Sequence, residues 1–460
     1  MLTWLLVVGL KAQGVSTQDT LDRKGKNAAT LLEAFEGGRF QGHFRTFFMA
    51  TDNARQLSDY HALAAGGDLG FQSAPFHGFS MGIGGMFNFN LLSSDLRAKD
   101  SLTGATNRYE VGLFDVENPD NRKDLDRLES FWLRFERARL RLTLGRQGVQ
   151  TPFINHQDGR MRPTMVSGLW TETTLSKNTK MEGGWLWGIS PRSTVRWYGV
   201  GASVGLYPRG LNPDGSVSGY PEHLESKGIG LIGVKQSFGK HLKTQYWDQY
   251  VENIFNTVFL QADYTYPLSK GHRLLLGCQL VRQDALAQGG NQSADKAYFE
   301  AGGKSQAIST QIGWQKKHWQ VLTAYTRITK DGRFLTPREW GREQFYTFMA
   351  RERMEGSGDV HAVTGSIDWH NQLKNLQIGL KYGHFYLPDV HNAPMNKYAF
   401  PAFRQFNFDA RYTFGGAFKG LRAQMLYVWK GRIGNTYGND RYVINRVDMA
   451  QVNVILNYTY

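Results

Sequence analysis

The feature that most limits what this chain can fold into is a two-residue alternation of apolar and polar side chains, repeated from about residue 39 to the end. In residues 253–266 one parity holds Ile254, Asn256, Val258, Leu260, Ala262, Tyr264 and Tyr266. The other holds Asn253, Phe255, Thr257, Phe259, Gln261, Asp263 and Thr265. Residues 404–414 set Phe406, Phe408, Ala410, Tyr412 and Phe414 against Asn407, Asp409, Arg411 and Thr413. Residues 421–430 set Leu421, Ala423, Met425, Tyr427 and Trp429 against Arg422, Gln424 and Lys430. The chain closes with Val452, Val454, Leu456, Tyr458 and Tyr460 against Gln451, Asn453, Asn457 and Thr459. Successive side chains of a strand point to opposite faces, so such segments suit a sheet that is greasy on one side and wet on the other.

Which side is wet decides the fold class. A soluble sandwich packs its apolar faces on each other and favours interlocking aliphatics. Here the apolar parity is rich in Tyr, Phe and Trp near strand ends, the placement of the aromatic girdles of a membrane barrel. Residues 128–145 form a hairpin with Phe131, Leu133, Phe135, Leu140, Leu142 and Leu144 on one face. Its other face carries Arg134, Glu136, Arg139, Arg141 and Thr143. So many guanidiniums in a dry interior would cost several kcal/mol each without partners. A water-filled lumen removes that cost.

Composition agrees. The 460 residues include 52 Gly and one Cys, Cys278, so no disulfide scaffold is available, and the net charge is +14. No stretch approaches the roughly 20 apolar residues of a membrane helix, whereas a barrel alternates and averages to polar. Short turns are expected at residues 137–139, 316–318, 371–374 and 415–420. Longer loops rich in Gly, Pro, Asp and Asn are expected within 98–126, 207–227, 285–304, 331–358 and 387–401. At roughly 24 residues per strand with its connection, the chain makes about eighteen strands, enough for an open lumen. The expected fold is all-β: a transmembrane antiparallel barrel of the bacterial outer membrane, spanning residues 39–460. Residues 1–9 form an apolar run followed by Leu10, Lys11 and Ala12, without a basic start, and residues 1–13 are expected to be a truncated export signal. A polar lead-in fills 14–38.

Other chemistry is thin. Twelve histidines are scattered without metal-ligand spacing, and no cofactor is expected. Gly82-Ile83-Gly84-Gly85 lacks the strand-to-helix setting of a phosphate loop, and its glycines are expected to let strands curve. Trp185, Trp187, Trp197 and Tyr198 read as girdle residues, with stacking on sugars as the alternative. Lys316-Lys317-His318 at a hairpin tip is expected to meet lipid headgroups or solvent, not nucleic acid. No Gly-x-Ser-x-Gly elbow is present. The expected function is not enzymatic, with a lipase-like barrel enzyme or an oligosaccharide-specific porin as alternatives.

Specific residues resemble a family. Thr151-Pro152-Phe153, then Asp158-Gly159-Arg160-Met161-Arg162-Pro163 and Gly168, look like the inward-folded constriction loop of OprD-type porins, the outer-membrane carboxylate channels. Pro337-Arg338-Glu339-Trp340-Gly341-Arg342-Glu343 and Arg351-Glu352-Arg353-Met354 look like a second signature. Supporting matches are residues 40–48 with Arg45, and Tyr398 ahead of Asn407-Phe408-Asp409. The resemblance implies an eighteen-stranded channel for small, commonly carboxylate-bearing solutes, with a basic ladder on one lumen wall and a narrow eyelet. By position, Arg160 would be an eyelet base and Asp158 its acidic neighbour. Arg162 stands where the family has an aliphatic residue, so it either adds charge to the eyelet or turns away.

A row of cations along a narrow aqueous path in a low-dielectric wall concentrates anionic solutes. Arginine suits this because its planar fork holds a carboxylate through two hydrogen bonds. Lumen parity nominates Arg134, Arg139, Arg141, Arg273 and Arg411, together with Lys381 and Arg422. The competing role is bracing, by pairing with lumen carboxylates such as Glu136 and Asp409. The expected partners are outer-membrane lipids and small anionic or zwitterionic solutes, with a monomer or trimer equally open.

Overall fold

The structure is a computed structural model that describes residues 27–157, 159–371 and 375–460. The export signal, the first half of the lead-in, Asp158 and the turn at 372–374 lie outside the described residues. A six-residue helix, α1 (Leu31–Glu36), opens the described chain, capped by the Thr30 side chain at the Glu33 N–H. The strands follow: β1 (Arg39–Asp52), β2 (Tyr60–Gln72), β3 (Phe79–Ser93), β4 (Arg127–Arg137), β5 (Leu140–Gln147), β6 (Met165–Ser176) and β7 (Thr179–Ser190). Next come β8 (Tyr198–Gly199), β9 (Ile229–Phe238), β10 (Leu242–Val251), β11 (Phe255–Pro267), β12 (His272–Ala285) and β13 (Lys304–Lys316). The last are β14 (Trp319–Ile328), β15 (Val360–Asn371), β16 (Leu376–Tyr386), β17 (Phe403–Thr413), β18 (Leu421–Arg432) and β19 (Met449–Thr459).

Apart from the short β8, each strand pairs antiparallel with the strands next to it in sequence, and β1 pairs with both β2 and β19, from Asp52↔Ala450 to His43↔Thr459. The sheet is therefore closed. β8 is a two-residue strand against the end of β7, whose main partners are β6 and β9. The other strands form an eighteen-stranded barrel. Closure gives each wall strand a ladder partner on both sides and leaves no edge among the described strands, which a hydrocarbon setting demands.

Connections sort by length onto two ends. At one end the turns are short: Ala138 (φ 53°) reverses β4 into β5, and Lys317 (φ 44°) reverses β13 into β14. At the other end lie loops 94–126, 148–164, 191–228, 286–303, 329–359, 387–402 and 433–448. Loop 433–448 escaped the sequence reading. The connection 252–254 is the exception at that end, since Asn253 (φ 66°) turns β10 directly into β11.

The two faces match the alternation. On β4 and β5, Phe131, Leu133, Leu140 and Leu144 are exposed outward, whereas Arg134, Thr143 and Gln147 are buried inward. Outward aromatics form two girdles: Tyr266, Trp319, Tyr412 and Tyr458 near the short turns, and Trp187, Tyr250, Tyr325 and Tyr386 near the long loops. The wall is one layer, so no second sheet dries these arginines. The glycines at 82–85 serve curvature and close approach. The Trp132 ring of β4 lies across Gly82, where a Cβ would clash, and the register shifts between Gly84 and Gly85.

The inward parity also carries large apolar side chains near the long-loop end. Phe255, Phe259, Val281 and Phe385 are buried there by loop residues Phe153, Phe334, Trp340 and Met349. The interior is thus a packed core under the long loops and a polar wall toward the short turns.

Leu380 stands outward in the middle of β16, between Leu376 and Tyr386. Leu380→Arg should destabilise the barrel in lipid vesicles by about 2–4 kcal/mol, the cost of a guanidinium at the bilayer midplane. Lys381→Met, one residue away but inward, should escape that penalty; the comparison is read from denaturant unfolding in vesicles.

Candidate functional site

Two of the long loops turn inward and grip each other. Loop 148–164 leaves β5, and loop 329–359 joins β14 to β15. The Asn155 N–H donates to the Trp340 carbonyl at 3.2 Å. Its side-chain amide donates to the Arg342 carbonyl at 3.0 Å and accepts from the Arg342 N–H at 3.2 Å. Gln344 donates to Gln157 at 3.1 Å, and the Thr164 hydroxyl donates to the Glu339 carbonyl at 2.7 Å. Gly341 permits the approach, because Asn155 occupies the space of its missing Cβ. Within 341–350 burial alternates: Gly341, Glu343, Phe345, Thr347 and Met349 are buried toward the wall. Arg342, Gln344, Phe348 and Ala350 are half-buried on the opposite side, facing the lumen, whereas Tyr346, also half-buried, donates its hydroxyl to Asp263 of β11 at 2.7 Å. The Arg342 guanidinium sits 4.4 Å from the centre of the Phe348 ring, which fixes the plane of its fork.

Inward side chains of the wall hold these loops by their backbone carbonyls. Lys381 of β16 donates to the Tyr346 and Phe348 carbonyls at 3.0 and 2.9 Å. Gln405 of β17 donates to Ala350 at 2.7 Å, Gln279 of β12 to Gln344 at 2.9 Å, and Gln283 to Leu335 at 2.9 Å. Arg45 of β1 donates to the Arg160 carbonyl, and Arg127 of β4 to the Pro163 carbonyl at 3.0 Å. A loop without ladder partners thus finds donors for its orphan carbonyls, as buried backbone requires.

A buried charge cluster fixes the far end of loop 329–359. Lys430 of β18 is fully buried and donates to Glu352 at 3.0 Å, to the Arg351 carbonyl at 3.1 Å and to the Tyr109 hydroxyl at 2.9 Å. Arg108 reaches Glu352 at 3.2 Å, and Arg338 pairs with Glu355 at 2.5 Å. Burial alone would raise the Glu352 carboxyl, but Arg108, Lys430 and Arg338 override it and hold it down at about 2. Glu343 pairs with no cation among the described residues, although Arg353 and Arg338 act on it from farther off. Burial pushes it up to about 7, although the Met354 and Glu355 N–H groups donate to it at 2.8 and 3.1 Å.

The nominated residues fall into distinct places. Arg134 is buried inward on β4, donating to Thr143 at 3.2 Å with its guanidinium 4.4 Å from the Trp132 ring. Arg141 bridges Glu136 and Glu172, the latter at 3.2 Å, and Arg411 pairs with Asp409 at 2.5 Å. Arg273 and Arg422 occupy inward positions at the short-turn ends of β12 and β18. Lys381 is inward and bound to loop carbonyls, as above. Arg139 departs from the strand parity: it lies exposed in the β4–β5 turn and donates to the Leu175 carbonyl at 3.2 Å. The second strand of the hairpin starts one residue later than expected, at Leu140, which leaves Arg139 in the turn. Arg160 is buried, with its guanidinium in the space a Cβ on Gly112 would need. Arg162 turns away from the lumen. It is 1 % exposed and donates to the Thr194 carbonyl at 2.9 Å, in the field of Arg127 and Glu129.

Arg342, Arg45, Glu352 and Lys430 were quoted in motifs or strands but not nominated. Arg342 and Glu352 sit in the second signature, and only the alternation within 341–350 separates the lumen-facing member from the anchored one. The Lys430–Glu352 pairing spans 78 positions, which no local pattern announces.

The depressed Glu352 carboxyl fixes a sign. Stability from this cluster is present above its ordinary value of about 4.5 and is lost as pH falls toward 2. Hydrogen exchange of residues 350–356 should therefore rise between pH 4.5 and 2 while the β17 and β18 ladders stay protected. Glu352→Gln should show the same exposure at neutral pH, since it strands buried Lys430 at a cost of about 3–5 kcal/mol.

The family model of the outer membrane porins of the OprD family matches residues 33–353. No curated protein sequence matches. Among solved structures, Acinetobacter baumannii OccAB4 is 16% identical, with 92% of this chain and 98% of that chain covered at a TM-score of 0.69. Pseudomonas aeruginosa OccK9 (OpdG) is 15% identical over 93% and 99%, with a TM-score of 0.70. Pseudomonas aeruginosa OpdK, solved with vanillate, is 14% identical over 93% and 99%, with a TM-score of 0.66. These likenesses show the eighteen-stranded fold, and the family match covers well over half of the sequence. The chain belongs to the OprD family of outer membrane porins and resides in the bacterial outer membrane.

Proposed function

We propose that this porin passes small carboxylate-bearing solutes, drawn through its constriction by guanidiniums presented to the lumen. The observation that carries the reading is Arg342: half-buried, on the lumen side of loop 329–359, with its guanidinium over the Phe348 ring and its backbone held by Asn155 of the other inward loop. A fork held in plane loses little entropy on binding a carboxylate through two hydrogen bonds. Toward the short turns, Arg141, Arg273, Arg411 and Arg422 offer further cationic positions. Arg141 and Arg411 already share carboxylates with the wall. Their hold on a solute is correspondingly weak, which favours release over capture, and conduction needs several weak sites. Lys381 and Arg45 hold the inward loops by their carbonyls, and Arg134 is bound within the wall by Thr143 and Trp132. The related fold of OpdK accommodates vanillate, a carboxylate, which agrees in ligand class.

In planar bilayers with a salt gradient, the reversal potential should report preference for anions. Arg342→Ala should enlarge single-channel conductance and weaken block by an added aromatic carboxylate about tenfold or more, the worth of a charge-assisted fork. Cation preference in the parent, or unchanged block in the variant, would contradict the reading.

A further inference from the structure

The outer face of the barrel is not uniform around its circumference. On β15, β16, β17 and β18 the described outward positions hold no carboxylate, yet β17 places Arg404 there, exposed, two residues from its long-loop end. Its guanidinium lies 5.5 Å from the centre of the outward Trp429 ring. Across the ladder Arg404 faces His384, whose ring nitrogens lie 3.1 Å from the Tyr382 hydroxyl and 3.4 Å from that of Tyr386. One row nearer the loops, His361 pairs across the ladder with Arg327 on one side and Tyr386 on the other, and bonds the Tyr325 hydroxyl at 2.8 Å. Carboxylates at this rim are already engaged: Asp359 with Arg327 at 2.5 Å, Asp448 with Arg432 at 3.4 Å, and Asp389 with Tyr437 at 2.9 Å. A different sector of the same rim has the opposite character, for β10 and β11 present Asp248 bonded to Asn256 at 2.8 Å.

A lipid-facing guanidinium without a protein anion is expensive unless the membrane supplies one. The Tyr and Trp side chains around Arg404 mark the headgroup level, and an arginine fork matches phosphate as it does carboxylate. The leaflet at the long-loop side of an outer membrane is built of phosphorylated glycolipid. The phenol hydroxyls of Tyr382 and Tyr386 on the neighbouring strand, with Tyr325 farther along the same face, offer sugar hydroxyls partners that a phospholipid headgroup does not need. We infer that the outward face of β14–β18 at the long-loop end is a binding site for the phosphorylated sugar headgroup of an outer-leaflet glycolipid, anchored on Arg404. The site lies on the wall opposite the lumen and is independent of the solute pathway.

Native mass spectrometry of the detergent-purified porin tests this, using diphosphorylated lipid A, its dephosphorylated form and phosphatidylglycerol as probes. The parent protein should retain the diphosphorylated lipid through harsher activation than either other lipid. Arg404→Gln should weaken that retention about tenfold, and Arg404→Lys should restore part of it, both with parent single-channel conductance because Arg404 faces away from the lumen. Equal retention by parent and R404Q would overturn the site. Equal retention of the dephosphorylated lipid by the parent, or preference for phosphatidylglycerol, would overturn the glycolipid assignment without needing any variant. A lipid-free oligomer mass lost in R404Q would instead make this face a contact between copies, and would equally overturn it.

Discussion

Hydrocarbon offers no hydrogen bonds, and that constraint shapes the rest of the molecule. A strand crossing a bilayer must pair on both sides, so the sheet has to meet itself, which it does between β1 and β19. Once the ring is closed at eighteen strands, every side chain belongs to one of two solvents. The outward set becomes leucines, phenylalanines and girdling tyrosines. The inward set is free to carry charge because water or loop backbone is within reach.

The interior then divides. Near the short turns, charges are balanced within the wall: Arg141 lies between Glu136 and Glu172, Arg411 beside Asp409, and Lys235 beside Glu182. Near the long loops, donors of the wall are spent on carbonyls of the two inward loops, and Lys430 with Glu352 clamps the end of one of them. A basic residue facing the lumen therefore has one of three duties: balancing a neighbour, fastening a loop, or meeting the solute. Arg411 and Lys381 illustrate the first two, and the third is the role proposed above for Arg342. Bracing and attraction are not exclusive, since a guanidinium shared with a carboxylate still contributes to the potential along the path.

Strands were legible because their information is local. Residues 404–414 and 421–430 alternate so regularly that face and register follow once one side is assigned to lipid. The short turn at 137–139 was equally plain, yet its consequence for Arg139 was not, because parity does not tell whether the residue next to the left-handed Ala138 belongs to the turn or to the strand. Loops were the opaque part. Arg162 sits in a quoted motif two residues from Arg160, and only the path of loop 148–164 tells that it turns to the Thr194 carbonyl. Inward Phe255 and Phe259 contradicted a wholly wet interior; they make sense only after Phe153 and its neighbours are folded over them. What the sequence withheld is which distant segment covers which stretch of wall.

The central claim is the assignment of the two faces, and cysteine accessibility along β17 addresses it directly. In a Cys278→Ser background, single cysteines at positions 407, 408, 409, 410 and 411 would be exposed to a charged, water-soluble thiosulfonate in reconstituted membranes. Modification at 409 and 411, with protection at 408 and 410, at native Cys278 in the parent, and at 407, which is buried beside Gln405 under the inward loop, is the predicted pattern. Equal reactivity at both parities, or the inverse pattern, would contradict it.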